Sequence, residues 1–114
     1  MVGINTKAVI KNLKSMREEI LRDSELTADE RKPVALDQSM VGRLSRMDAL
    51  QNQAMALEAE RRRGIEIRRI DAALARIEQG EYGYCGICGE EIERKRLQHD
   101  PTVTSCIVCA RDAE

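Results

Sequence analysis

All four cysteines of this chain lie near its C-terminus, at Cys85, Cys88, Cys106 and Cys109, in the pattern C-x2-C-x17-C-x2-C. Each pair, with its two-residue gap, can grip one metal ion from two sides. The intervening segment brings the pairs together into a tetrahedron, the arrangement of a zinc site. Gly86 inside the first pair and Gly89 directly after it allow a tight knuckle with positive φ and amide N–H groups turned toward the sulfurs. Ala110 takes the small-residue place after the second pair. Two disulfides or a redox pair are the rival readings. A C-x-x-C redox site, however, normally occurs once, at the head of a helix in a strand-helix fold.

Four thiolates leave no open position for water or substrate, and His99, the one histidine, is not needed as a ligand. One structural zinc per chain is therefore expected. Residues 80–114 offer only Tyr82, Tyr84, Ile87, Ile92, Leu97, Val103, Ile107 and Val108 as sizeable apolar groups. A core that small rarely holds a fold below about 40 residues without a staple. Zinc binding, worth on the order of 10–16 kcal/mol in comparable peptides, supplies the shortfall.

With 114 residues there is room for one small domain, or a helical body with an appended module, and none for a separate catalytic domain. No nucleophile–base pair or open metal site is visible, so an enzyme is not expected. Charged residues make up 34% of the chain and aromatics 2%, which favours long solvated helices over a sandwich or barrel. Nineteen basic and twenty acidic side chains balance to a net charge of −1. That gives no overall electrostatic case for a nucleic-acid or membrane-surface protein. No apolar run approaches the length of a membrane span, and the N-terminus lacks the features of a signal peptide. A soluble protein of a reducing cytoplasm is expected, where thiols stay available to zinc.

The expected fold is mainly α: a helical hairpin or coiled coil over residues 1–79, then a zinc finger with a short terminal helix over 80–114. The first helix is expected over Thr6–Arg22, capped by Asn5 or Thr6, with Val9, Leu13, Met16 and Ile20 forming one apolar stripe. Residues 23–37 break the pattern at Pro33, with a short helical turn suggested by the capping-box spacing of Thr27-Ala28-Asp29-Glu30. From Gln38 to Gln79 there is no proline and little glycine, so one long helix of about 60 Å is expected. Asp37 or Ser39 would cap it, and Gly80 would end it in a left-handed C-cap.

The long helix has no single apolar stripe. Met40, Leu44, Met47, Leu50, Ala54 and Leu57 share one face, whereas Ile67, Ile70, Leu74 and Ile77 share another, turned by roughly half a circle. The polar stretch from Glu58 to Gly64 separates them, which implies two packing partners or a bend near Gly64, with the lower seam meeting the zinc module. Arg61, Arg62, Arg68, Arg69 and Arg76 fall opposite that lower seam as a basic stripe. It reads as a solvated face with pairs such as Glu58 to Arg62, or as a surface for an anionic partner. His99 reads as part of a polar turn, and Tyr82 and Tyr84 as core residues beside the knuckle.

The run GEYGYCGICGEEIERKRLQHDPTVTSCIVCA, residues 80–110, follows the approach RIDAALARIEQGEYG. It resembles the four-cysteine zinc finger of the DksA/TraR family, with the Tyr82-Gly83 step, Cys85, Cys88-Gly89, Ile92, Arg96-Leu97, Pro101, Cys106 and Cys109 in family-like positions. The resemblance implies a helical hairpin joined to a zinc-finger part, in a protein that inserts the hairpin into the secondary channel of bacterial RNA polymerase. Such proteins modulate transcription initiation in the stringent response, often with guanosine tetraphosphate, and do not bind a promoter sequence themselves.

The chain departs from the family at the hairpin tip, where the acidic D-x-x-D-x-A pattern of the best-known members is missing. Asp48, followed by Ala49 but preceded at three residues by Ser45, is the nearest counterpart, and Asp37 is the other candidate. Arg61, Arg62 and Arg63 are the candidate docking cluster. A zinc ribbon contacting nucleic acid or protein is one alternative, with charge from Arg94-Lys95-Arg96 but no stacking residues. A thiol sensor that ejects zinc on oxidation is another.

Overall fold

The computed structural model describes residues 4–33 and 43–112. Asp37 and the beginning expected for the long helix lie outside the described residues. Four α-helices are described: α1 over Thr6–Leu26, α2 over Arg43–Glu78, α3 over Arg94–His99 and α4 over Ile107–Asp112, with a 3-10 turn over Ala28–Arg31 after α1. Among the described residues, β pairing is limited to one antiparallel bridge between Tyr84 and Glu91.

The start of α1 follows from its cap. Asn5 Oδ1 accepts a hydrogen bond from the Ala8 amide at 3.2 Å, which satisfies one of the first turn's free N–H groups, and the Asn5 carbonyl accepts the first intrahelical bond, from Val9. The helix runs on to Leu26 rather than stopping at Arg22. Asp23-Ser24-Glu25-Leu26 contains no glycine or proline, and Pro33 restricts only the residue before it. The 3-10 turn after it has no capping box. The Thr27 hydroxyl instead donates back to the Asp23 carbonyl at 2.8 Å, a bond that competes with capping.

α2 is continuous through Gly64. It ends in a Schellman motif: the Gly80 amide donates to Ile77 O and the Glu81 amide to Arg76 O, with Gly80 at φ 74°. A left-handed residue is needed at that position, and glycine takes it without a Cβ clash.

The chain divides into two compact units, one formed by Met1–Arg17 with Arg68–Glu114 and the other by Glu18–Ile67. In the first, Leu13 of the α1 stripe is fully buried, as are Ile70 and Ala73 of α2. Arg17 Nε donates to Asp71 Oδ1 at 2.9 Å. The lower apolar seam of α2 is thus a core face, with Leu74 and Ile77 half-buried beside it.

The second unit differs from the expectation of an apolar seam. Here α1 and the 3-10 turn meet α2 through polar side chains. Ser24 Oγ donates to both carboxylate oxygens of Glu60 at 2.7 Å, and Arg31 Nη1 pairs with Glu60 Oε2 at 3.1 Å. Arg31 and Arg63 both donate to Thr27 Oγ1, and Gln53 Nε2 donates to Lys32 O. The α2 face used is Gln53, Ala56, Glu60 and Arg63, at spacings of three or four. At 100° per residue, Met47, Leu50 and Leu57 lie about a third of a turn away from it. They are 58%, 46% and 49% exposed. Among the described residues, then, the upper apolar seam has no packing partner.

Candidate metal centre

The first cysteine pair sits on a turn-and-return of backbone. The Cys85 amide donates to Glu90 O at 2.8 Å, the Gly89 amide to Cys85 O at 2.9 Å, and the Ile92 amide to Gly83 O at 2.8 Å. Gly89 adopts φ 77°, as the knuckle requires, whereas Gly86 is not in the left-handed region. Neither φ nor space holds position 86 to glycine: its amide donates to Thr104 O at 2.9 Å, and a Cβ there would meet that carbonyl at 3.6 Å, an ordinary van der Waals distance. This bond ties the first knuckle to the strand of chain leading into the second. The second pair straddles the start of α4, where the Ala110 amide donates to Cys106 O.

A small core holds the two halves together. Tyr82, Cys85, Ile92, Leu97, Thr102 and Val103 are all buried. The Tyr82 hydroxyl donates to Pro101 O at 2.9 Å, and Arg96 Nε to Ser105 O at 2.9 Å. Asp100 anchors the finger to α2: its Oδ1 accepts from the amide and hydroxyl of Thr102, and its Oδ2 accepts from Arg69 Nη2 at 3.0 Å. Burial pushes the Asp100 carboxyl up, but the Thr102 bonds and the Arg69 charge outweigh it and leave the group below the usual carboxylate range. Tyr82 is raised, chiefly by burial, with the Arg76 charge opposing and Asp100 reinforcing. Tyr84 is only half-buried and His99 is exposed at the end of α3.

The four sulfurs converge. Cys85, Cys88, Cys106 and Cys109 place their Sγ atoms within 4.8 Å of one another, with Cys88 and Cys106 at 3.7 Å. Zinc–sulfur bonds of about 2.3 Å in a tetrahedron imply sulfur–sulfur edges of about 3.8 Å, so the cluster has the size of a tetrathiolate zinc site. None of the four is in a disulfide. The Ile87 amide donates to Cys85 Sγ at 3.4 Å and the Cys109 amide to Cys106 Sγ at 3.5 Å, the outer contacts that stabilise thiolate ligands.

Crowded thiols cannot all ionise by themselves. Backbone N–H groups of Cys88, Cys106 and Ile87 hold Cys85 down to about 6, whereas Cys109 is pushed up to about 12, first by its hydrogen bond with Cys106 and then by burial. A divalent cation is what allows all four to be thiolates at once. With four protein ligands the ion has no open position, so this is a structural zinc centre.

The remaining candidate residues lie elsewhere. Asp48 is exposed on α2. Arg61 and Arg62 are exposed and both pair with Glu58, at 2.8 Å and 3.3 Å. The Arg61 hydrogen bond, helped by its charge and by Arg62, lowers Glu58 to about 2 despite an opposing desolvation effect. Arg63 is instead turned toward Thr27, on another side of the helix. Arg69 is paired with the Asp100 carboxylate, which neutralises one charge of the basic stripe, and Arg96 Nε is tied to the Ser105 carbonyl, which fixes that side chain while leaving its charge in place. The polar network around Glu60 was not visible in the sequence beyond Ser and Thr occurring where α1 ends.

Comparison with known proteins agrees with this geometry. Residues 80–114 match the prokaryotic dksA/traR C4-type zinc finger. The RNA polymerase-binding transcription factor DksA of Caulobacter vibrioides is 34% identical over 95 residues, covering 83% of this chain and 66% of that protein. The protein of the same name from Haemophilus influenzae is 42% identical over 48 residues, covering 42% of this chain and 33% of its own length. The matches thus span one third to about two thirds of these relatives. The structure of transcription factor DksA2 from Pseudomonas aeruginosa shares the fold, with a TM-score of 0.75 over 94% of this chain and 81% of that one, at 24% identity.

Proposed function

Because this chain belongs to the DksA/TraR family of zinc-finger proteins, we propose that it is a DksA-like transcription factor that binds bacterial RNA polymerase and modulates initiation. The observation that carries this reading is the extent of the Caulobacter match: 95 residues, well beyond the 35 of the finger and into the helices. Polymerase binding is what the name of that relative states.

In this reading residues 1–79 are the polymerase-binding part, entering the secondary channel, and residues 80–114 the structural module. Asp48 acts at the polymerase, beside the exposed Met47 and Leu50. Arg61 and Arg62 supply docking charge, while Arg63 serves the contact with Thr27 first. Guanosine tetraphosphate acts at the complex rather than on the chain alone, promoter DNA is not read by sequence, and the protein works in the cytoplasm without catalysing a reaction. No helix among the described residues is long and apolar enough to cross a membrane.

Purified RNA polymerase and the reduced, zinc-loaded chain provide the test. Co-elution with polymerase, together with altered initiation at a promoter sensitive to guanosine tetraphosphate, is the expected result. Failure to bind core or holoenzyme would overturn the reading.

A further inference from the structure

Arg76, in the last turn of α2, holds its Nε and Nη2 atoms buried with no hydrogen-bond partner, and it is alone in this among the described residues. A guanidinium stays charged at every physiological pH and carries five N–H donors. Half-buried, with two of its nitrogens shut off from water and unpartnered, it calls for a counter-charge. The Schellman turn, in which the Glu81 amide bonds to Arg76 O, places Arg76 where the chain leaves α2 for the finger.

Arg76 and Cys85 line the same cleft, of about 320 Å³, together with Gly80, Glu81, Tyr84 and Gly86. Glu81 is the one carboxylate on that wall, but its side chain is exposed and forms no ion pair with Arg76. The thiolate cluster is the other source of negative charge. Four thiolates around a divalent zinc leave two negative charges in excess, and Cys85 is the buried corner of that cluster.

We propose that Arg76 is the half-buried counter-charge of the zinc–thiolate centre, a positioning residue that strengthens its hold on the metal from the Cys85 side. It adds one full charge to the partial charges of the Ile87 and Cys109 amides, which already donate to sulfur. The influence of Arg76 on Tyr82, whose hydroxyl lies in the finger's core, agrees with a guanidinium facing inward. Arginine suits the place better than lysine because its charge is delocalised and more weakly hydrated.

The test is a zinc-affinity measurement on the full reduced chain by competition with a chromophoric chelator, comparing the parent with Arg76→Gln, Arg76→Lys and Glu81→Gln. Arg76→Gln should bind zinc roughly 10-fold or more weakly, within the range of outer-shell substitutions. Arg76→Lys, which keeps the charge, should recover most of that loss, and Glu81→Gln should match the parent. Cobalt-substituted Arg76→Gln should keep the parental thiolate-to-cobalt absorption, because the ligand set is unchanged. Parental affinity in Arg76→Gln would overturn the proposal, as would an Arg76→Lys as weak as Arg76→Gln. Loss in Glu81→Gln equal to that in Arg76→Gln would give the role to Glu81 and overturn it too. Should Arg76→Gln not fold, the lysine variant decides: retained affinity supports the charge assignment, and lost affinity overturns it.

Discussion

Single residues carry the finger. Cys85 is both a ligand and a core residue, 3% exposed, so its loss removes a metal bond and a packing group together. Cys85→Ser or Cys106→Ser should abolish stoichiometric zinc by elemental analysis and unfold the finger while most helical circular dichroism survives, because α1 and α2 bury their own seam at Leu13, Ile70 and Ala73. Asp100 works differently, through three accepted hydrogen bonds. Asp100→Asn should cost about 1 kcal/mol, since an amide cannot pair with Arg69. The carboxyl is held below its unfolded value, so its contribution is present above about pH 4 and fades as pH falls through the lower folded value. The stability gap between parent and Asp100→Asn in urea melts should therefore begin to narrow below that pH and go on narrowing as the solution is made more acid. A gap that does not narrow with acidification would contradict the assignment.

At the scale of elements, the contact between the end of α1 and α2 is polar where an apolar seam would be the ordinary choice. Ser24, Thr27, Arg31, Glu60 and Arg63 form one connected set, and the Arg31 and Glu60 side chains are only 20% and 28% exposed. Such a network gives less energy than leucines but tolerates few alternative registers. Glu60→Ala takes the acceptor from the Ser24 hydroxyl and the carboxylate partner from Arg31, which keeps Thr27 Oγ1 and Ser24 O, and should cost about 1–3 kcal/mol by thermal or urea unfolding. Ser24→Ala removes one donor only and should cost about 1 kcal/mol. A Glu60→Ala variant as stable as the parent would show that the network holds nothing in place. The same choice leaves Met47, Leu50 and Leu57 outside.

For the whole molecule, the proposed function divides the labour between a metal-held finger and a helical part whose exposed side chains meet the polymerase. Asp48→Asn should reduce the effect on in vitro transcription more than it reduces polymerase binding, because a carboxylate near a magnesium-containing catalytic centre acts through its charge. Arg61→Ala with Arg62→Ala should instead weaken binding in competition assays, the more so at low salt. An Asp48→Asn variant equal to the parent in both measurements would remove Asp48 as the effector.

What the sequence determined by itself was whatever depends on short-range chemistry. The ligand set follows from cysteine spacing, the Gly80 stop from the need for a left-handed residue, a cap at Asn5 or Thr6 from the free amides of a first helical turn, of which the structure uses Asn5, and the helical class from composition. Tertiary structure decided which faces meet. Apolar periodicity named both the upper and the lower stripe of α2, but it could not say that polar side chains would fill the contact beside α1 and leave Met47, Leu50 and Leu57 of the upper stripe exposed. That outcome depends on Ser24, Arg31 and Glu60 reaching one another across 36 residues of chain or fewer, a geometry that no local pattern encodes. The burial of Arg76 Nε and Nη2 is of the same kind: on a helical wheel the residue belongs to a basic stripe, and only the tertiary structure shelters those two atoms.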